Sequence, residues 1–254
     1  MKNLFNVIVI ALALVIAYSI YFFIMGNPDG FKDGVQRHEP NPGNVMATIY
    51  TGGPLVGLLM SLIIIAITFS FERWFSINKA RGKGNVAMFI KKVQENLIKG
   101  DLETAIGECD RQRGSVTNVL RAAIERFKEV ENDPEFGPDK KISEVQRSID
   151  EAVNLETPLL EKNLVILSTI SSVAVLVGLL GTTIGMIRAF QALAVSGTVS
   201  AIQLSIGISE ALYNTAGGLI GAIVAILAFN FFTTKVDGFV YMIDEAILNI
   251  TQIL

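Results

Sequence analysis

The sequence has very little of what most enzymes and metal sites are built from. Its 254 residues include one cysteine, one histidine and one tryptophan. Cys109 cannot form an intrachain disulfide, and a buried structural thiol is its expected role. His38 stands alone, so we assign it no part in proton transfer. Because no nucleotide loop, cluster of metal ligands or nucleophile with a nearby base is recognisable, the chain is predicted to be no enzyme and to need no cofactor.

Charge is scarce over most of the chain. The formal net charge of −3 indicates no particular partner, and no basic patch suited to nucleic acid is present. About two thirds of the charged residues lie in one segment, 76–162, where acids and bases nearly balance. With 51% hydrophobic residues and a mean hydropathy of +0.49, the chain is more apolar than an ordinary soluble domain. This distribution predicts a protein that resides in the lipid bilayer.

Four apolar runs are long enough to cross a bilayer, which takes about 20 residues. They are residues 4–25, 55–75, 164–193 and 202–233. The first run is too long for a typical signal peptide, and no convincing cleavage site follows it. We therefore expect it to be retained, which gives four membrane spans.

The charged segment has the pattern of soluble helices. Helical spacing or composition predicts helices at 86–97, 102–108, 116–130 and 142–160, with a turn at 132–138. The last helix is expected to run into the third span, with Pro158 as a kink or a restart near the entry. The segment is too short and broken for a separate enzymatic core, so we expect it to extend the membrane bundle.

Basic residues beside the second run set the predicted orientation. Those that follow it closely are Arg73, Lys79, Arg81 and Lys83. Since cytoplasmic flanks are rich in lysine and arginine, both termini are predicted to be cytoplasmic, with 26–48 and the turn at 194–200 outside. The predicted parts are an extra N-terminal span with its periplasmic loop (1–53), a second span (54–75), a cytoplasmic helical region (76–162), two channel-core spans (163–235) and a cytoplasmic C-terminal helix (236–254).

Small residues recur at helical spacing in the last two spans. One face of the third span carries Gly178, Gly181, Gly185 and Ala189, and the fourth carries Gly207, Ala211, Gly218, Ala222 and Ala225, with Gly217 and Gly221 beside them. In lipid, small residues allow helices to approach closely. These spans should pack tightly on each other or on copies of themselves.

Packing does not explain the polar residues of the same spans. A threonine can hydrogen-bond to its own helix, so Thr182 or Thr215 alone is more often structural. Glu210 is costly in lipid and should face the bundle interior or a water-filled cavity, with Asn214 one turn away. From the residues alone, a pathway role for Glu210 and an ion pair with Arg188 are equally open.

Two segments resemble the MotA/TolQ/ExbB proton-channel family. VGLLGTTIGMIRAF at 177–190 is similar to its G-L-x-G-T-x-x-G segment, and GISEALYNTAGGLIGAIVAILAFN at 207–230 to its G-I-x-E-A-L-x-x-T-A-x-G-L stretch. The order of a span, a helical cytoplasmic region and two motif-bearing spans also fits. The predicted fold class is therefore all-α, a polytopic membrane protein with four transmembrane helices, long helices that extend into a cytoplasmic region, and a ring-forming oligomer.

The resemblance implies a subunit of a proton-driven motor in the bacterial inner membrane. Such proteins form a ring, commonly a homopentamer, around single spans of an ExbD-type partner that carries the proton-binding aspartate. Carried over by position, Thr182 and Thr215 would line the space around that aspartate. Glu210 would be the motif acid of the fourth span, and we include Asn214 on the predicted pathway.

The branch of the family depends on finer features. Glu210 within G-I-S-E-A-L is typical of ExbB and TolQ, whereas four spans is the number of flagellar stator subunits. Val224 stands where ExbB and TolQ usually have proline, so a straighter helix is expected there. We interpret the chain as ExbB-like, powering TonB-dependent outer-membrane transport through a TonB-type protein. A TolQ-like motor for envelope integrity, a flagellar or gliding stator subunit and a passive membrane scaffold stay open as alternatives.

Overall fold

The chain folds as a set of α-helices in the computed structural model, which describes all residues except 1, 33, 35–38, 132, 197–200 and 254. His38 and the tip of the predicted turn at 194–200 lie outside the described residues. The helices are α1 (Lys2–Ser19), α2 (Val45–Tyr50), α3 (Pro54–Ala80), α4 (Val86–Ile98), α5 (Leu102–Gln112), α6 (Ser115–Glu131), α7 (Pro138–Glu161), α8 (Leu164–Ser196) and α9 (Ala201–Thr251). A π-helical segment, Ile20–Met25, follows α1. The predicted all-α class is confirmed.

Four helices in the described part of the chain are long and apolar enough to cross a membrane. They are α1 with its π-helical extension, α3, α8 and α9, which correspond to the four predicted spans. Large apolar side chains on α1 and on its π-helical extension, among them Val15 and Phe23, are exposed, as contact with lipid requires. The protein is therefore a multi-pass membrane protein.

The entry to the third span differs from the prediction. Pro158 lies inside α7, and the helix stops three residues later, at Glu161. Asn163 follows with φ of +64°, a left-handed conformation that ends a helix and that asparagine tolerates better than most residues. Its amide donates to Glu72 Oε2 at 3.2 Å. The predicted run into the third span is therefore wrong, because the break lies at Asn163 and the proline is accommodated within the helix.

The end of the chain also differs. Residues predicted as a separate C-terminal helix, 236–254, continue α9, which runs without interruption to Thr251. Nothing in the apolar fourth span or in the amphipathic stretch after it ends the helix. No proline lies between them, and Gly238 is tolerated inside α9.

The chain divides into two compact units. The first comprises Met1–Phe71 and Val165–Phe229, and the second comprises Glu72–Leu164 and Asn230–Leu254. In the second unit α4, α5, α6 and α7 pack in sequence. Cys109 is only 1% exposed there. Burial, with a smaller contribution from Asp110, raises the pKa of its thiol to about 12, so the thiol stays protonated at neutral pH.

In the first unit, an aromatic cluster fastens the first span to the start of α3. It consists of Tyr21, Met25, Phe31, Ala47, Tyr50 and Val56. The rings of Tyr21 and Tyr50 stack with centroids 4.5 Å apart. The Tyr18 hydroxyl donates to the carbonyl of Pro54 at 3.3 Å. The extra span is thus tied to the chain immediately after the turn at Gly52 and Gly53.

Candidate functional site

The backbones of α8 and α9 pack nearly in contact. A Cβ atom on Gly218 would lie 2.6 Å from the carbonyl oxygen of Ala174 and 2.9 Å from Cα of Gly178. A Cβ atom on Gly185 would lie 2.8 Å from both Gly207 O and Ala211 N. Of the predicted packing glycines, those that meet the opposite helix of this pair are Gly178, Gly181, Gly185, Gly207, Gly218 and Gly221, the last also touching α3. The glycine strips therefore bring the two spans together within one chain.

Two threonines meet in this helix pair. The hydroxyls of Thr182 in α8 and Thr215 in α9 hydrogen-bond to each other. The Thr182 hydroxyl also donates to the carbonyl of Gly178 at 3.2 Å. Since a hydroxyl has one hydrogen, Thr215 is then the donor to Thr182 and keeps its own acceptor lone pairs. Both residues are partly exposed, so this threonine pair can offer a hydrogen bond to a group outside the chain.

The acid of α9 is enclosed and paired. A guanidinium nitrogen of Arg188 donates to Glu210 Oε1. Glu210 is 7% exposed, whereas the side chain of Arg188 is 47% exposed. On another side the carboxylate meets the turn before α3, where a Cβ atom on Gly53 would lie 2.6 Å from Oε1. A buried carboxylate needs such a partner, because an unpaired one is strongly unfavourable.

The side chain of Asn214 links the turn at Gly52 and Gly53 to α9 by a hydrogen bond. Its side chain is fully buried and packs against Gly181. A Cβ atom added to Gly181 would lie 2.3 Å from the Cβ atom of Asn214. The amide donates to the carbonyl of Gly52 at 2.7 Å and to that of Glu210 at 2.9 Å. The structure thus places Asn214 beside Glu210, in an enclosed position that differs from the partly exposed one of the threonine pair.

No sequence pattern predicts the contact that the turn at Gly52 and Gly53 makes with α9. The doublet followed by Pro54 does favour a turn before a helix, since proline suits the first helical position. Gly53 has φ of +80°, which glycine adopts without strain. The partner helix is fixed by tertiary packing alone. No group of three or more His, Cys, Asp or Glu that could hold a metal occurs among the residues described.

The fold and this site define a multi-pass membrane protein whose two glycine-packed spans carry a hydroxyl pair and an enclosed ion pair. Residues 111–245 match the MotA/TolQ/ExbB proton channel family. The chain belongs to that family, and the resemblance seen in the sequence is confirmed. Its members are proton-channel subunits that transduce energy.

The chain is similar to both TolQ and ExbB proteins. The Tol-Pal system protein TolQ of Pseudomonas aeruginosa is 30% identical over 210 residues, which cover 78% of this chain and 87% of that one. The biopolymer transport protein ExbB of Xanthomonas campestris is 38% identical over 89 residues, or 35% of each chain. A putative biopolymer transport protein, ExbB-like 1 of Synechocystis, is 29% identical over 187 residues, or 70% of this chain and 66% of that one.

Proposed function

We propose that the chain is the ring subunit of a proton-driven motor, in which five copies surround the single spans of an ExbD-type partner with a membrane aspartate. The threonine pair carries this proposal, because it is a partly exposed, neutral hydrogen-bonding site between two largely apolar spans. Thr182 and Thr215 face the lumen of the ring and contact the partner's acid. The chain has no catalytic role of its own.

A hydroxyl pair suits a partner that must load and release a proton. Thr215 can accept a hydrogen bond from a protonated carboxyl, and by rotation of its hydrogen it can donate to a carboxylate. A fixed charge at the same place would strongly favour one protonation state of the partner's carboxyl group. A mainly apolar ring wall would let the partner helix turn with few polar contacts to break.

We assign the enclosed residues a supporting role. Arg188 and Glu210 hold α8 to α9 at one end of the helix pair, and Asn214 fastens the turn that precedes α3. This leaves Glu210 shielded by Arg188 and Gly53 unless the ion pair opens. Glu210 therefore stabilises packing or gates one end of the pathway.

We propose the bacterial inner membrane as the location, with both termini and the segment 76–162 in the cytoplasm. The basic residues that follow the second span support this orientation. The two motif-bearing spans, 163–235, form the channel core, and the extra span of 1–53 lies outside it. The exposed apolar surface of α1 is consistent with contact to lipid.

For the driven process we propose TonB-dependent transport across the outer membrane, through a TonB-type protein. The identity of the ExbB proteins to this chain, 38% for that of Xanthomonas campestris, supports this branch over the region they share. A Tol-Pal role is the second candidate, because the TolQ of Pseudomonas aeruginosa aligns over a longer stretch, 78% of this chain.

The test is co-purification from native membranes in a mild detergent, with mass spectrometry of the partners and of their ratio to this chain. A single-span protein with a membrane aspartate, present below one copy per chain, is the expected result. Recovery of a TonB-type or a TolA-type protein with it names the branch. The chain recovered alone as a tight oligomer would contradict the motor and favour a passive scaffold.

A further inference from the structure

A pocket of about 500 Å³ in the second unit is lined by three basic residues. It lies between the end of α3, the loop that follows it, the start of α6 and the last turns of α7. The bases are Lys79, Lys83 and Arg113. We call this the basic pocket.

The three bases have no ion pair with any residue that the structure describes. Elsewhere in the same unit, arginines are paired, such as Arg121 with Asp110 and Arg126 with Glu144. The acid that does line the pocket, Glu156, accepts a hydrogen bond of 2.8 Å from the amide of Asn118. With three bases and one acid among its lining residues, the pocket carries an excess of positive charge.

Arg113 is held in a conformation that is otherwise nearly confined to glycine, with φ of 55° and ψ of 162°. The loop after α3 and the loop between α5 and α6 contact each other and keep Arg113 in this conformation. Lys83 N donates to the carbonyl of Gln112 at 2.7 Å, and a Cβ atom on Gly82 would lie 1.7 Å from the carbonyl oxygen of Arg113. Glycine would adopt this backbone conformation without strain. The presence of an arginine side chain at this position therefore calls for an explanation.

The pocket begins where the apolar run of α3 ends. Its first lining residue, Ser76, directly follows the apolar run 55–75. In the turn before it, Trp74 and Phe75 are exposed, as aromatic side chains at the level of lipid headgroups commonly are. Leu159 lines the pocket and is 47% exposed, which supplies an apolar wall. The first residue of α6, Ser115, also lines it, so the positive end of that helix lies at its edge.

We propose that the basic pocket binds the headgroup phosphate of an anionic phospholipid. Unneutralised lysine and arginine attract a phosphate, and the guanidinium of Arg113 can bind two of its oxygens. A soluble phosphate compound offers the same charge, but the exposed aromatic residues and the leucine wall match a lipid with an acyl chain. The site is independent of the motor proposed above.

The test uses the full-length chain in detergent, incubated with phosphatidylglycerol or phosphatidylcholine and analysed for retained lipid by native mass spectrometry. Phosphatidylglycerol should be retained in preference. Arg113→Gly and Lys83→Gln should each lower its retention about fivefold, the factor for one base near an anionic surface. Arg81→Gln is the matched control, because Arg81 is exposed and does not line the pocket.

Arg113→Gly also separates binding from folding. Because glycine adopts this backbone conformation without strain, the variant should unfold at a temperature equal to or above that of the wild type when lipid is absent. Equal retention of the two lipids, or an equal loss from Arg81→Gln, would overturn the proposal. Displacement of phosphatidylglycerol by inorganic phosphate, with the same dependence on Arg113, would assign the pocket to a soluble phosphate compound and overturn the lipid.

Discussion

Thr182 and Thr215 each have the other's hydroxyl as a partner, across two helices whose backbones nearly touch. Each threonine alone could be explained by a bond to its own helix, as Thr182 indeed makes to Gly178. The pairing brings two side chains from positions 33 residues apart to one point. A partly exposed pair of this kind provides a polar site for a partner helix without a fixed charge.

The threonine pair gives a direct prediction. Thr182→Val and Thr215→Val should each reduce coupled transport roughly 10- to 100-fold. Thr215→Val removes the hydroxyl that bonds an acid charged in part of its cycle, and Thr182→Val removes the group that orients that hydroxyl. Ring yield in detergent should stay at the wild-type level, because valine fills nearly the same volume. Transport is measured in cells that express each variant at equal amounts.

Thr183→Val is the control for this prediction. Thr183 is exposed, and its hydroxyl donates to the carbonyl of Leu180 in its own helix at 2.7 Å. Its replacement should leave transport unchanged. Normal transport in both variants of the pair, or an equal defect in Thr183→Val, would refute the lumen role.

Replacing Arg188 should destabilise the protein more than replacing its ion-pair partner Glu210. Arg188→Leu leaves a buried carboxylate without its partner and should cost about 1–3 kcal/mol of stability. Glu210→Gln leaves Arg188, whose side chain is 47% exposed, in contact with solvent or headgroups, and should cost less. The double variant should recover part of the loss from Arg188→Leu. Thermal unfolding and ring yield measure this, and equal values for the wild type and both single variants would show that the pair is unimportant.

At the scale of helices, two glycines of α9 make a matched comparison. Gly218→Ala places a Cβ atom 2.6 Å from the carbonyl oxygen of Ala174, so it should separate α8 from α9 and cost about 1–3 kcal/mol. Gly238→Ala meets nothing within 4 Å and should stabilise the same helix by about 0.5–1 kcal/mol. Thermal unfolding followed by circular dichroism should show shifts of opposite sign. Shifts of the same sign would mean that α8 and α9 are not in this contact.

The sequence predicts the helices more completely than it predicts the contacts of the site. The four spans follow from apolar runs, and the α8–α9 contact follows from glycine spacing, because both signals are local. The break at Asn163 could not be predicted, since the sequence does not show that an asparagine takes a left-handed conformation. Asn214 donates to a backbone carbonyl 162 residues away. Because every residue has a backbone carbonyl, the sequence does not show which one is the acceptor. The sequence shows that residue 214 is polar, and only the structure shows that its amide binds the turn before α3.

At the scale of the whole molecule, the apolar surface left by a single chain supports assembly. Large side chains remain exposed on both membrane helices that carry the family motifs, including Leu176, Ile187, Leu212, Ile223 and Leu227. Lipid can cover some of this surface, as it can cover the exposed apolar side chains of α1. A ring would cover the rest with neighbouring copies and with the partner's span, and would bring the threonine pairs of several chains around one axis.

The decisive measurement is site-specific photo-crosslinking in native membranes. A photoreactive residue is introduced in turn at Thr182, at Thr215 and, as a control, at the exposed apolar position Val15 of α1. We predict crosslinks from 182 and 215 to a single-span protein close to its membrane aspartate, and none to it from 15. Crosslinks from 182 and 215 only to lipid or to other copies of this chain would contradict a proton motor built around a partner helix.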